Sequence, residues 1–175
     1  MASTVTELLR RRFGGKKEVD PYVDWVKLRT RNVSSGYNCY RCASSNIDKM
    51  LVDGVEVTPR QLYDFGDTNY HDVYLLFKNL TSLPDQTFNL SNYTRIKVDI
   101  PASFVTFGQS TLRGNGASNR VDVIIRATTY PTFEEYNFIS WTSGHLWVPD
   151  SIYDTYVSNA PISVARIHKL SDWTE

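Results

Sequence analysis

Two cysteines, Cys39 and Cys42, have the spacing found in zinc sites and in redox dithiols. A structural zinc site needs four ligands, and the other candidates, His71, His145 and His168, are scattered singly along the chain. A redox dithiol is expected in a βαβ unit, and the sequence around Cys39 has no such pattern. We therefore interpret the two cysteines as small structural side chains, with a metal or disulfide role as the alternative.

Nothing else in the sequence has the spacing of a catalytic centre. The three histidines are interpreted as surface groups or satisfied core groups, because none has a neighbouring residue that would orient it as a base. Glu134 and Glu135 are expected on a solvated face. Gly14-Gly15 and residues 114–116 (GNG) are turn signals, not phosphate-binding loops. The sequence therefore predicts a protein that is not an enzyme and has no cofactor and no metal.

Aromatic side chains are the remaining candidates for binding. The chain contains 11 Tyr, 8 Phe and 4 Trp. Flat rings suit stacking on sugars and on other proteins, although the same rings also serve as core or subunit contacts. The aromatic residues predicted to contact a glycan or another subunit are Tyr130, Tyr136, Trp141 and Trp173.

A basic arm opens the chain. Residues 1–31 carry eight basic and four acidic groups (8 − 4 = +4), and the rest of the chain carries 11 basic and 15 acidic groups (11 − 15 = −4). Thr4 and Glu7 have capping-box spacing, which predicts a helix of about ten residues that ends at Gly14-Gly15. Such a helix is marginal alone in water and should be ordered only against a partner. The alternative is a frayed terminus with incidental charges.

Docking of the arm would place apolar side chains in a partner groove and pair the arginines with surrounding acids. The predicted docking residues are Leu8, Leu9, Arg10, Arg11, Arg12 and Phe13. Three consecutive arginines also attract phosphate, but the acidic body opposes this, so nucleic acid is not expected as a partner. The chain has no apolar run long enough to span a membrane.

The elements that must position these residues repeat along the second half of the chain. A strand pattern that starts at Val73 recurs 23 residues later at Ile96 and, after 25 more residues, at Val121. It recurs again at Leu146, which is 23 residues after Val123. A return motif with apolar first and sixth residues follows each of the first three strands. These motifs are Leu83–Phe88, Phe107–Leu112 and Phe133–Phe138.

Such a repeat unit cannot enclose its own apolar face, so copies are expected to stack and bury that face jointly. Alternation along the strands predicts that Val98, Ile100, Val123 and Ile125 point inward and that Asp122 is exposed. The alternative is an antiparallel sandwich with regularly spaced strands.

Two local signals add detail to this architecture. Asp53-Gly54 between apolar residues predicts a two-residue type I′ hairpin turn. Pro149 should end the fourth strand, and Asp150 or Ser151 should cap the following helix. That helix is expected to cover the open end of the last repeat with four inward residues, Ile152, Tyr153, Tyr156 and Val157.

Residues 70–175 resemble the BspA-type leucine-rich repeat family of gut and oral bacteria and their phages. The matching stretches are Asp99–Pro101, Phe107-Gly108, Ala127–Pro131, Leu146–Asp150 and Arg166–Asp172, while the family's ladder of Leu and Asn or Cys is thin. The leader VTELLRRR, residues 5–12, resembles the opening of some virion or prophage-encoded proteins of gut bacteria.

These resemblances imply a mainly β fold: a short leucine-rich-repeat solenoid with short helical caps, after a β-hairpin region and an N-terminal helical arm. The predicted domains are the anchor arm 1–31, a β-rich cap region 32–72 and the repeat domain 73–175. They imply a non-enzymatic virion component, such as a head fibre, decoration or tail-associated protein. The arm would bind other virion proteins, and the chain would form a homo-oligomer such as a trimer. The alternative is a carbohydrate- or host-surface-binding module on a phage or on the bacterial cell surface.

Overall fold

The computed structural model describes residues 25–27, 41–64, 71–85, 95–112, 120–138 and 143–174. This part of the chain is mainly β, as predicted, with a few short helices. The strands are β1 Trp25–Lys27, β2 Arg41–Ala43, β3 Ile47–Val52, β4 Val55–Glu56, β5 Asp72–Phe77, β6 Ser82–Leu83, β7 Arg95–Ile100, β8 Thr106–Phe107, β9 Arg120–Ile125, β10 Thr132–Phe133, β11 Leu146–Val148 and β12 Ile167–Lys169. The α-helices are α1 Pro59–Asp64 and α2 Tyr153–Asn159.

A seven-stranded sheet in the order β12-β11-β9-β7-β5-β3-β4 contains the repeated strands. β5, β7, β9, β11 and β12 run parallel to one another, and β3 runs antiparallel to both of its neighbours, β5 and β4. Ile96 pairs with Val73 on one side and Val121 on the other, and Val123 pairs with Leu146. The predicted repeat register is therefore confirmed, and the alternative of an antiparallel sandwich is wrong.

The return motifs form a second, three-stranded parallel sheet in the order β10-β8-β6. Phe107 pairs with Leu83 and Phe133, which are the predicted equivalent positions. Gly108, the residue after Phe107, lies where neighbouring chain segments approach closely. A Cβ at this position would lie 2.6 Å from Asp85 Oδ1 and 2.8 Å from the Leu83 carbonyl oxygen. This glycine therefore lets adjacent return motifs pack against each other.

The core lies between the two sheets. Val98, Ile100, Val123 and Ile125 are fully buried, which confirms their predicted inward direction. From the other side, Phe107 stacks on Phe133 with ring centroids 4.8 Å apart. Burial of these side chains from both sheets supplies the main driving force for folding.

The opposite face of the large sheet is also packed, and here the predicted exposure of Asp122 is wrong. Asp122 is 2% exposed, and the neighbouring outward residues Asp99 and Ile124 are fully buried. Asp122 accepts hydrogen bonds from Arg120 Nε at 2.7 Å and from the His145 amide at 3.0 Å. The alternation correctly predicted the face of the sheet on which Asp122 lies. It could not predict that long side chains cover that face.

The two predicted local features, the Asp53-Gly54 turn and the Pro149 corner, both lie within the described residues. Asp53 and Gly54 have φ angles of 51° and 79° between the paired residues Val52 and Val55, so the two-residue turn with positive φ is confirmed. β11 ends at Val148, directly before Pro149, as predicted.

The predicted helix cap at the Pro149 corner is wrong. Neither the 3₁₀ turn Asp150–Ile152 nor α2 has a side-chain cap hydrogen bond. The Asp150 carboxylate instead accepts from the Ser171 hydroxyl at 2.8 Å and the Ser171 amide at 3.2 Å, and these bonds lower the pKa of Asp150. One further strand, β12, continues the sheet beyond β11, so the corner is not the end of the stack. Tyr156 is fully buried, and Ile152, Tyr153 and Val157 pack against the core, as expected.

The N-terminal half contributes a separate small sheet in which β1 pairs antiparallel with β2. β1 falls within the range assigned to the arm, and β2 falls within the predicted cap region. α1 begins with a capping box, because the Thr58 amide donates to Gln61 Oε1 and the Gln61 amide donates to Thr58 Oγ1. No helix among the described residues is long and apolar enough to cross a membrane. The domain boundaries at residues 31 and 72 stay predictions.

Candidate functional site

An open cleft of about 660 Å³ lies at the β10 edge of the small sheet, next to the C-terminal end of α2. Two of the predicted binding aromatics, Tyr130 and Tyr136, line it. Phe133 and Glu134 from the same segment and Asn159 from α2 also contribute to its walls. The cleft thus combines aromatic faces with a carboxylate and an amide, the mixture that orients small ligands in protein sites.

Tyr136 is the exposed wall of the cleft, with 53% of its surface accessible. Its φ angle is 63°, a conformation that is uncommon for a residue other than glycine. The equivalent residue of the preceding return motif, Ser110, has a φ of 57°, so this backbone turn belongs to the repeat. The two return motifs therefore share the turn but differ in its side chain, which is tyrosine at the cleft and serine in the preceding motif.

Tyr130 is the half-buried wall. Its ring meets Phe133 edge-on at 5.5 Å and lies 4.7 Å from the ring of the fully buried Tyr156. Burial raises the pKa of the Tyr130 phenol, so this group ionises only at a higher pH than an exposed tyrosine. Packing therefore fixes Tyr130 as a rigid surface on one side of the cleft.

Asn137 holds the loop that presents Glu134 and Tyr136. Its Oδ1 accepts from the Leu112 amide at 2.9 Å, and its Nδ2 donates to the carbonyls of Gly108 at 2.9 Å and Glu134 at 2.8 Å. The Glu134 amide donates to the Phe107 carbonyl at 3.0 Å. Both backbone groups of Glu134 are thus anchored, while its side chain is exposed at the cleft.

The other predicted site residues are placed differently or fall outside the described residues. Trp173 lies on the outer face of the large sheet, with its ring 4.7 Å from that of Trp147 and 5.4 Å from Lys97 Nζ. Since Lys97 is on β7 and Trp147 on β11, Trp173 spans β9 between them and is not part of the cleft. The residues outside the described part are Leu8, Leu9, Arg10, Arg11, Arg12, Phe13, Cys39 and Trp141.

Two histidines that are far apart in sequence meet on this outer face. His145 Nδ1 and His168 Nε2 are 2.8 Å apart, and the rings stack with centroids 5.0 Å apart. Trp147 stacks on His168 at 5.2 Å. The two histidines are scattered singly in the sequence, and β12, a strand that the sequence did not predict, brings His168 beside His145. Among the described residues, no three His, Cys, Asp or Glu side chains are arranged to hold a metal ion.

The histidine pair predicts that stability falls in mildly acidic solution. Desolvation lowers the pKa of His145, and the charges of His168, Arg120 and Arg166 lower it further against the opposing attraction of Asp122. Below the ordinary histidine pKa of about 6.5 the unfolded chain then binds more protons than the folded chain, so the free energy of unfolding decreases as pH falls. Melting temperatures measured between about pH 7.5 and pH 5.5 should decrease, and less steeply in His145→Gln. Parallel curves for the two proteins would rule out this titration.

Comparison with known proteins returns no match for this chain, whether among protein-family models, curated proteins or solved structures. The resemblances drawn from its sequence stay predictions.

Proposed function

We propose that this protein is a non-enzymatic carbohydrate-binding module that captures a surface glycan in the cleft between Tyr130 and Tyr136. The observation that carries this proposal is the convergence of an exposed and a half-buried tyrosine on one open cleft that also contains Glu134 and Asn159.

Sugars present apolar C–H faces and a rim of hydroxyl groups. An exposed ring such as that of Tyr136 can cover the apolar face of one sugar, and its own hydroxyl can remain in water. The Glu134 carboxylate accepts hydrogen bonds, and the Asn159 amide both donates and accepts them. An open cleft also admits one part of a longer chain, which suits a glycan on a surface.

The fold that we propose for this module is a short BspA-type leucine-rich-repeat solenoid. Its support is the parallel register of β5, β7, β9 and β11 and the second parallel sheet formed by the return motifs. The side-chain amide of Asn137 bonds backbone groups of its own return motif and the preceding one, as an asparagine ladder between stacked repeats would.

Removal of the Tyr136 ring should abolish glycan capture with little change in stability. We expect the purified wild-type protein to retain a defined set of glycans on an array and Tyr136→Ala to lose them, because stacking on one ring contributes a large share of such affinity. The matched control is Val105→Ala, which shortens another exposed apolar side chain that does not line the cleft. An array on which Tyr136→Ala retains the same glycans as the wild-type protein would contradict the proposal.

A second candidate function is that of a virion component, a head fibre, decoration or tail-associated protein that displays this domain as a homo-oligomer. The charge separation favours it, since residues 1–31 carry +4 and the remainder −4. A basic, amphipathic segment of this length suits docking into an acidic groove of another virion protein. The two candidates are compatible, because a docked arm would leave the cleft free to bind a host glycan.

Deletion of residues 1–15 should leave the melting temperature nearly unchanged and abolish incorporation into particles. The short helix expected there contributes little alone, whereas Leu8, Leu9 and Phe13 would supply the apolar anchors of docking. Incorporation can be measured by immunoblotting of purified particles, with the melting temperature of the truncated protein as the control for folding. Normal incorporation of the truncated protein, or a much lower melting temperature, would exclude the arm as an anchor.

A further inference from the structure

The described lining of the cleft has one sign of charge. Among these residues Glu134 has the one carboxylate side chain, and none is Lys or Arg. A ligand that enters the cleft therefore meets a negative potential.

The Glu134 carboxylate is available to a ligand. Within the described ranges it makes no salt bridge, and its exposed side chain lines the cleft. Its backbone is fixed at both ends by the bonds to Phe107 and Asn137, so little order is lost when a ligand binds. The loop thus presents a carboxylate, on a backbone held at both ends, in the same cleft as Tyr130 and Tyr136.

A carboxylate beside aromatic rings favours cations for two reasons. The carboxylate attracts a positive charge directly, and the face of a tyrosine ring attracts it through the ring quadrupole. The same charge repels carboxylated and sulfated sugars. Neutral sugars are accepted but gain nothing from the charge.

We infer that the cleft is selective for glycans that carry free, protonated amines, and that Glu134 is the residue that determines this selectivity. The inference rests on the proposed function, because it names the class of glycan that the same cleft binds. The amine would pair with Glu134 while the ring of the amino sugar, or of its neighbour, stacks on Tyr136.

Isothermal titration calorimetry with three oligosaccharides of matched length tests this inference. The probes are a chitosan oligomer with free amines, a chitin oligomer with acetylated, neutral amines, and an oligogalacturonate with carboxylates. At about pH 6 most of the amines are protonated. The wild-type protein should bind the chitosan oligomer about fivefold more tightly than the chitin oligomer, the equivalent of about 1 kcal/mol for an exposed ion pair. The oligogalacturonate should bind most weakly, and added salt should reduce these differences.

Two variants separate the cleft charge from the charge of the whole protein. Glu134→Gln should bind the chitosan and chitin oligomers with equal affinity, because the charge that distinguishes the two ligands is gone. Glu135→Gln makes the same change in net charge at an exposed residue outside the cleft lining and should keep the fivefold preference.

The possible failures are distinguishable. Equal affinities of the wild-type protein for the chitosan and chitin oligomers, or a preference retained in Glu134→Gln, overturn the selectivity and leave glycan binding intact. If none of the three oligosaccharides binds, the selectivity is overturned as well. The proposed function itself is overturned only if, in addition, the array shows no glycan whose retention depends on Tyr136.

Discussion

Ile125→Ala should lower the free energy of unfolding by about 2–5 kcal/mol. Ile125 is fully buried between the two sheets and pairs in register with the equally buried Ile100 of the preceding strand. Alanine would remove three carbons where parallel strands hold the walls apart, so the remaining cavity could close only in part. Chemical denaturation followed by tryptophan fluorescence measures the change.

Val105→Ala is the control for this core substitution, since Val105 is exposed and its change should stay within about 0.5 kcal/mol. Equal denaturation midpoints for the two variants would contradict the inward direction of β9. Asp122→Ala, at an adjacent outward position, should also be destabilising, by about 1–3 kcal/mol, because it leaves the His145 amide and Arg120 without their acceptor.

Arg126→Met should have a comparable effect, about 3 kcal/mol, for an electrostatic reason. Arg126 donates two hydrogen bonds of 2.7 Å to Asp99, whose side chain is completely buried. A third bond, from the Tyr74 hydroxyl at 3.0 Å, would not neutralise the carboxylate if the arginine were removed. Thermal and urea denaturation should both show the loss.

A matched pair on the same face provides the control for Arg126→Met. Arg95 and Asp72 lie opposite each other on β7 and β5, both largely exposed and 3.9 Å apart, so Arg95→Met should change stability by less than about 1 kcal/mol. The double variant Asp99→Leu/Arg126→Met removes both charges and should recover most of the loss. If Arg95→Met and Arg126→Met prove equally destabilising, burial of Asp99 is not the cause.

The periodic features of the fold could be predicted from the sequence because they are encoded locally. Alternation within each strand gave the inward residues, and the spacing between strands gave the pairing of Val73, Ile96 and Val121. The Asp53-Gly54 turn was equally predictable, since positive φ at both central positions suits these two residues.

Contacts between distant segments could not be predicted in this way. Asp150 has the residue type of a helix cap, but its carboxylate bonds Ser171, which is 21 positions away. β12 has three residues, too few for a clear alternation, and without it the meeting of His145 and His168 could not be anticipated. Trp173 was predicted to contact a glycan or another subunit, yet its ring packs within the chain against Trp147 on β11 and Lys97 on β7.

The cleft was predictable in part. Tyr130 and Tyr136 were predicted as binding residues because flat aromatic rings suit stacking on a ligand, and both line the cleft. Glu134 was interpreted as part of a solvated face, and its exposure agrees with that. Its position between two tyrosines depends on the turn that Asn137 holds, and on the approach of α2, neither of which periodicity encodes.

The most direct test of the proposed function is an NMR titration of the ¹⁵N-labelled wild-type protein with the glycan that gives the strongest array signal. Binding in the cleft predicts that amide shifts change within residues 130–137 and 159–161 and that these changes disappear in Tyr136→Ala. Shifts confined to the outer face around Trp147 and Trp173, or no shifts at all, would contradict it.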